Sequence, residues 1–139
     1  MLKYIRHKTP GIELSLLLIR LIGGGFMLTH GWGKMLKLVN GNFEFLDPLG
    51  LGKEVSLILV VFAEIVCSFM LLIGLLSRWA SIPLIITMLV AVFIVHASDI
   101  FEKQELGLIY LVLYLVILLC GPGKYSLDGL LNQKKRRYF

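Results

Sequence analysis

Six ionisable side chains stand where apolar residues prevail: Arg20, His30 and Lys34 in one run, Glu64 in a second, His96 at the end of a third and Glu105 at the start of a fourth. Placing such a group in a spanning segment costs roughly 2.5 to 3.5 kcal/mol, so each one calls for a partner or a task. A cation and a carboxylate can orient a polar ligand or relay protons, and an imidazole can do the same or ligate a metal or haem. Cys67 follows Glu64 by three residues and shares its helical face. Cys67 and Cys120 form no CxxC pair, so neither thiol exchange nor a thiolate metal site is indicated, and no metal site is expected.

The elements that must position these groups are set by hydropathy. Of 139 residues, 58% are hydrophobic, with a mean hydropathy of +0.86, more apolar surface than one soluble core of this size can hide. Four stretches reach the roughly 20 apolar residues a bilayer crossing needs: 12–36, 54–76, 79–97 and 105–121. The expectation is an all-α membrane protein, a four-transmembrane-helix bundle with a short C-terminal interfacial segment, forming one domain over 1–139. Arg20 interrupts the first apolar run and no A-x-A site follows it, which argues against a cleaved signal peptide. Gly74, Ser77 and Arg78 leave almost no loop between the second and third helices, predicting a tight hairpin. Pro83 is expected near the first turn of the third helix. Gly121-Pro122-Gly123 stops the fourth. In the tail, 124–139, Ser126 can cap a short helix whose leucines dip into the interface while Lys124 and Tyr125 anchor it.

Lys and Arg collect at the two ends of the chain, which predicts a multi-pass protein with both termini cytoplasmic and the 38–53 and 98–103 loops outside. Trp32 and Trp79 then fall near opposite interfaces. The net charge of +5 lies in short terminal clusters, a pattern suited to anionic headgroups of the lipid bilayer and not to nucleic acid.

Counting about 1.5 Å per residue from the cytoplasmic end of each helix puts Arg20 at ~12 Å and Glu64 at ~18 Å, within reach of a buried ion pair. His30 and His96 come out at ~27 Å and ~25 Å, with Lys34 and Glu105 just above them. These four are the expected ligand or proton partners of an outer polar cluster. For the Arg20 to Glu64 pair two readings stand: fixing helix register without chemistry, or orienting a ligand. The histidines suit interfacial hydrogen bonding first, a quinone head group next, and haem last. Gly23-Gly24-Gly25 points to close helix approach, and Gly23, Ser68 and Ala91 suit internal packing or a homo-oligomer contact.

The run Arg20, Gly24, His30-Gly31, Lys34, then Glu64, Gly74-Leu75, Arg78 and His96, closing on Gly121-Pro122-Gly123-Lys124-Tyr125-Ser126-Leu127-Asp128, resembles the DoxX family over about 13–131. The resemblance implies a four-helix protein of the bacterial cytoplasmic (inner) membrane, described as an oxidoreductase subunit or a partner in thiosulfate, quinone or oxidative-stress chemistry. A more distant likeness to vitamin K epoxide reductase-like proteins lacks their paired cysteines. No flavin, nicotinamide or iron-sulfur motif is present, so electrons would come from a redox protein partner or from a bound cofactor that the sequence does not disclose. The leading expectation is a redox-associated subunit holding a quinone. The rival is a non-enzymatic solute carrier or an assembly factor.

Overall fold

The computed structural model describes residues 10–137, with side chains to residue 132. Four helices are long and apolar enough to cross a membrane. They are α1 (Pro10–Val39), α2 (Lys53–Ile73), α3 (Ser77–Val95) and α4 (Phe101–Cys120), followed by a short α5 (Leu127–Arg137). Each helix packs on the next and α4 returns to α1, so the bundle is a closed antiparallel ring. One end carries the entry of α1, the α2–α3 turn and the tail; the other carries the 40–52 loop and the α3–α4 link. Large apolar side chains such as Phe26, Phe69, Phe93 and Val112 point outward, as lipid contact requires. The core is built from Met27, Cys67, Leu71, Leu84, Met88, Tyr114 and Ile117.

The four expected spans are found, with shifted ends. α1 begins at Pro10, tolerated there because a first-turn residue needs no N–H partner, and it runs three residues past 36. α2 stops at Ile73, where Gly74 turns left-handed at φ 76°. α3 begins at Ser77, which places Pro83 in the second turn and not the first. α4 begins at Phe101, so Glu105 lies one turn inside it.

Two segments widen into π-helix, Phe62–Cys67 in α2 and Ala91–Val95 in α3. Such turns recur at functional sites because they displace side chains from the regular helical register. Glu64 sits in the first of them, 2% exposed.

α1 meets α2 through two glycines seven residues apart. A Cβ on Gly24 would come within 2.8 Å of the Ser68 carbonyl oxygen, and one on Gly31 within 2.8 Å of Glu64 Cβ. Neighbouring positions of the same helix turn to α4: Tyr114 donates its hydroxyl to the Gly23 carbonyl at 3.0 Å, and His30 meets Tyr110 edge-on with ring centroids 5.9 Å apart.

Candidate functional site

The expected Arg20 to Glu64 pair does not form. Glu64 Oε1 is bound by Lys34 Nζ at 2.5 Å, whereas Arg20 Nη2 donates to the Tyr125 carbonyl. The reason is axial offset. Arg20 lies against Gly74 and Ser126 at the terminal end, while Glu64 lies against Gly31. Positions 20 and 31 of one helix are about 16 Å apart along its axis. Counting depth from helix ends misses this because it takes the ends of α1 and α2 as level, whereas Gly74, just past the end of α2, lies against Arg20, ten residues into α1.

The polar centre of the bundle is therefore Lys34, Glu64, His30 and Tyr110. The Lys34 side chain is 31% exposed and Glu64's 3%, so the pair runs from the interior toward the loop end. Tyr110 and Tyr114 stack with centroids 6.0 Å apart. Glu64 Oε2 and Ser68 Oγ are buried without a partner among the described residues. A sequence signal for this pair did exist: Gly24 and Gly31 mark the face of α1 that meets α2, and Lys34, one turn beyond Gly31, continues that face.

The outer cluster divides. His96 Nδ1 lies 2.7 Å from Asp99 Oδ2, and Gln104 donates to the His96 carbonyl at 2.7 Å, closing the α3–α4 link on itself. An ionised carboxylate only accepts, so Nδ1 carries the proton in that contact. This hydrogen bond, helped by Lys103 Nζ at 3.6 Å, holds Asp99 below the usual carboxylate range. His30 instead contacts Tyr110, so the two histidines serve separate groups. Glu105 is exposed on the far side of α4 from Tyr110, beside Phe101, Ile109 and Val112 in a shallow apolar cavity of about 330 Å³. Among the described residues no three His, Cys, Asp or Glu side chains converge as a metal would need.

At the terminal end the Gly121 to Asp128 segment forms a polar plate that sequence spacing did not disclose. Arg20, 1% exposed, reaches the Tyr125 carbonyl. Asp128 accepts from the Leu76 and Ser77 N–H groups at 2.9 and 3.1 Å and donates its own N–H to the Gly74 carbonyl at 2.9 Å. Leu76, held left-handed at φ 46°, owes that unusual conformation to this clamp. Ser126 Oγ accepts from the Gly129 N–H at 3.0 Å and caps α5. Arg78 donates to the Leu119 carbonyl at 3.2 Å, covering the end of α4, and Glu13 accepts from the Lys124 N–H.

The DoxX profile matches residues 15–97, which include Arg20, His30, Lys34, Glu64 and His96. The chain belongs to the DoxX family. The match ends before α4 and the terminal plate. Similar proteins include an uncharacterized protein of Haemophilus influenzae, 29% identical over 80% of this chain and 86% of its own length. An uncharacterized membrane protein of Mycobacterium tuberculosis is 32% identical over 86% of this chain and 83% of its own. The inner membrane protein YqjF of Escherichia coli is 26% identical over 88% and 95%. No solved structure matches the chain.

Proposed function

We propose that this DoxX protein is a redox-associated subunit of the bacterial cytoplasmic membrane, with both termini cytoplasmic, that takes a quinone-type ring beside Lys34, Glu64, His30 and Tyr110. The observation that carries the reading is the Lys34–Glu64 pair, buried at its carboxylate end in a π-helical turn next to an exposed imidazole. A charge pair is an expensive thing to keep in a bundle unless it is used. Lys34 and His30 supply donors for ring oxygens, Tyr110 supplies an aromatic edge, and an apolar tail stays in lipid. His96, tied to Asp99, and Glu105, on the opposite side of α4, stand outside this site. Electrons are supplied or accepted by a redox protein partner.

The test is the organic extract and visible spectrum of protein purified from native membranes, followed by titration with a short-chain quinone. Coextracted quinone and saturable binding weakened by His30→Ala support the reading. A Soret band would replace the quinone with haem, and absence of any bound or binding ring would favour the carrier or assembly role.

A further inference from the structure

Where α1 ends and α2 begins, Lys37, Glu44, Phe45, Leu46 and Lys53 line an open cavity of about 440 Å³. That volume falls within the range of small-molecule sites, about 300 to 1,000 Å³. The two ammonium groups and the carboxylate on its rim are exposed, and none of the three joins an ion pair among the described residues. The backbone that carries them is fixed. Asn42 donates its N–H to the Lys37 carbonyl at 2.9 Å and accepts the Glu44 N–H on Oδ1 at 3.0 Å, tying two walls together. Asp47 accepts the Leu51 and Gly52 N–H groups and the Ser56 hydroxyl, each at 2.9 Å, which ties the Leu46 side to the start of α2. Around the rim Val39, Leu46, Leu49 and Leu51 are all more than half exposed, as suits a loop lying where bilayer hydrocarbon meets the headgroups.

We propose that this cavity binds the headgroup of a zwitterionic aminophospholipid, with the phosphate between the Lys37 and Lys53 ammonium groups, the ethanolamine ammonium donating to the Glu44 carboxylate, and the glycerol end against Phe45 and Leu46. A phosphodiester anion accepts and cannot donate, so it suits the two lysines; an ammonium only donates, so it suits Glu44. A purely anionic headgroup leaves Glu44 facing like charge, and a choline headgroup keeps its charge but has no N–H to give. The apolar rim favours a lipid over a soluble zwitterion, because it holds the loop at the bilayer surface, where phospholipid is in constant supply. The Lys34–Glu64 pair lends no side chain to this cavity, so the headgroup site and the ring site stand or fall separately.

The experiment offers the detergent-solubilised protein an equimolar mixture of phosphatidylethanolamine and phosphatidylcholine with matched acyl chains, and counts the retained lipid of each kind by native mass spectrometry. Phosphatidylethanolamine should be retained about two- to fivefold over phosphatidylcholine, the span of one exposed ion pair. Glu44→Gln should bring the two lipids level, and Lys37→Gln with Lys53→Gln should lower retention of both, whereas Lys103→Gln, an exposed lysine at the same end of the bundle, should change neither. Equal retention by the wild-type protein overturns the proposal, as does a preference that persists in Glu44→Gln or a loss in Lys103→Gln as large as in the double variant. Displacement of phosphatidylethanolamine by an equimolar amount of soluble glycerophosphoethanolamine overturns the assignment to a lipid. The wild-type comparison decides even where a variant does not fold.

Discussion

Asp128, in the first turn of α5, caps α3 from 52 and 51 residues further along the chain, its two carboxylate oxygens accepting the N–H groups of Leu76 and Ser77. Helix-entry donors have no partner within their own helix, and here the residue that satisfies them lies beyond α4. The carboxylate also sits at the positive end of the α3 dipole. The tail is thus part of the α2–α3 turn.

Asp128→Ala should lower stability by about 1 to 2 kcal/mol, since two helix-entry donors lose a charged acceptor, and Asp128→Asn by less. Thermal unfolding in detergent measures both. A loss no greater than that of Glu102→Ala, an exposed carboxylate in the first turn of α4, would show that the clamp contributes little.

Double-mutant cycles distinguish the observed pairing from the expected one. Lys34→Met strands a buried carboxylate and should cost about 3 to 5 kcal/mol, while the Lys34→Met/Glu64→Gln double variant should cost less than the sum. Arg20→Met with Glu64→Gln should be additive within about 0.5 kcal/mol, because the two sites share no partner. Strong coupling in the second cycle would contradict the structure.

Gly31→Ala should destabilise by about 1 to 3 kcal/mol, since the new methyl meets Glu64 and Ile65 across the α1–α2 seam. Gly33→Ala, two residues on and facing open space, should be neutral or stabilising by up to about 1 kcal/mol. The same unfolding signal compares them, and equal effects would mean that α1 does not pack on α2 through the glycine face.

The 40–52 loop should loosen in acid. Asp47 is held below its ordinary carboxylate value chiefly by the Gly52 N–H, then by Ser56 Oγ and the Leu51 N–H. A carboxyl depressed in the folded state stabilises above its unfolded value of about 3.9, and that contribution fades as pH falls through the lower folded value. Amide exchange at Leu51 and Gly52, corrected for intrinsic rate, should therefore accelerate at and below the usual carboxylate range, and Asp47→Asn should show the acid behaviour at neutral pH. Protection independent of pH would exclude this role.

The proposed orientation is checked by single cysteines at Asn42 and Ser98 in a variant without Cys67 and Cys120. An impermeant thiol reagent applied to intact cells should label both. Protection of both, in folded protein, would invert the bundle.

Hydropathy alone located the four spans, because length and apolar content are properties of a segment. The capping of α5 by Ser126 was legible for the same reason, being local. What Arg20 and Glu64 bind was not, since it depends on how far α1 slides past α2, and that slide is fixed by where Gly24 and Gly31 admit the α2 backbone. Counting places Lys34 with the histidines in an outer cluster because all three fall near one level; the π-helical turn opposite it brings a carboxylate to its ammonium. His96 and His30 share a level by counting but not a partner, because Asp99 lies within reach of one and Tyr110 of the other.

The contact between Arg20 and the Tyr125 carbonyl joins positions 105 residues apart, and it sets a timetable for the newborn chain. At about 5 to 20 residues per second, Arg20 waits on the order of 5 to 20 s after its own synthesis before its acceptor exists. During that interval the first helix carries a cation that the finished bundle will bury. The membrane must shelter it by letting the side chain stretch toward headgroups, or the insertion machinery must retain the helix until the tail arrives. A chain cut short after α4 would hold four spanning helices and no place for that charge, which makes the last few residues before α5 a checkpoint for completeness.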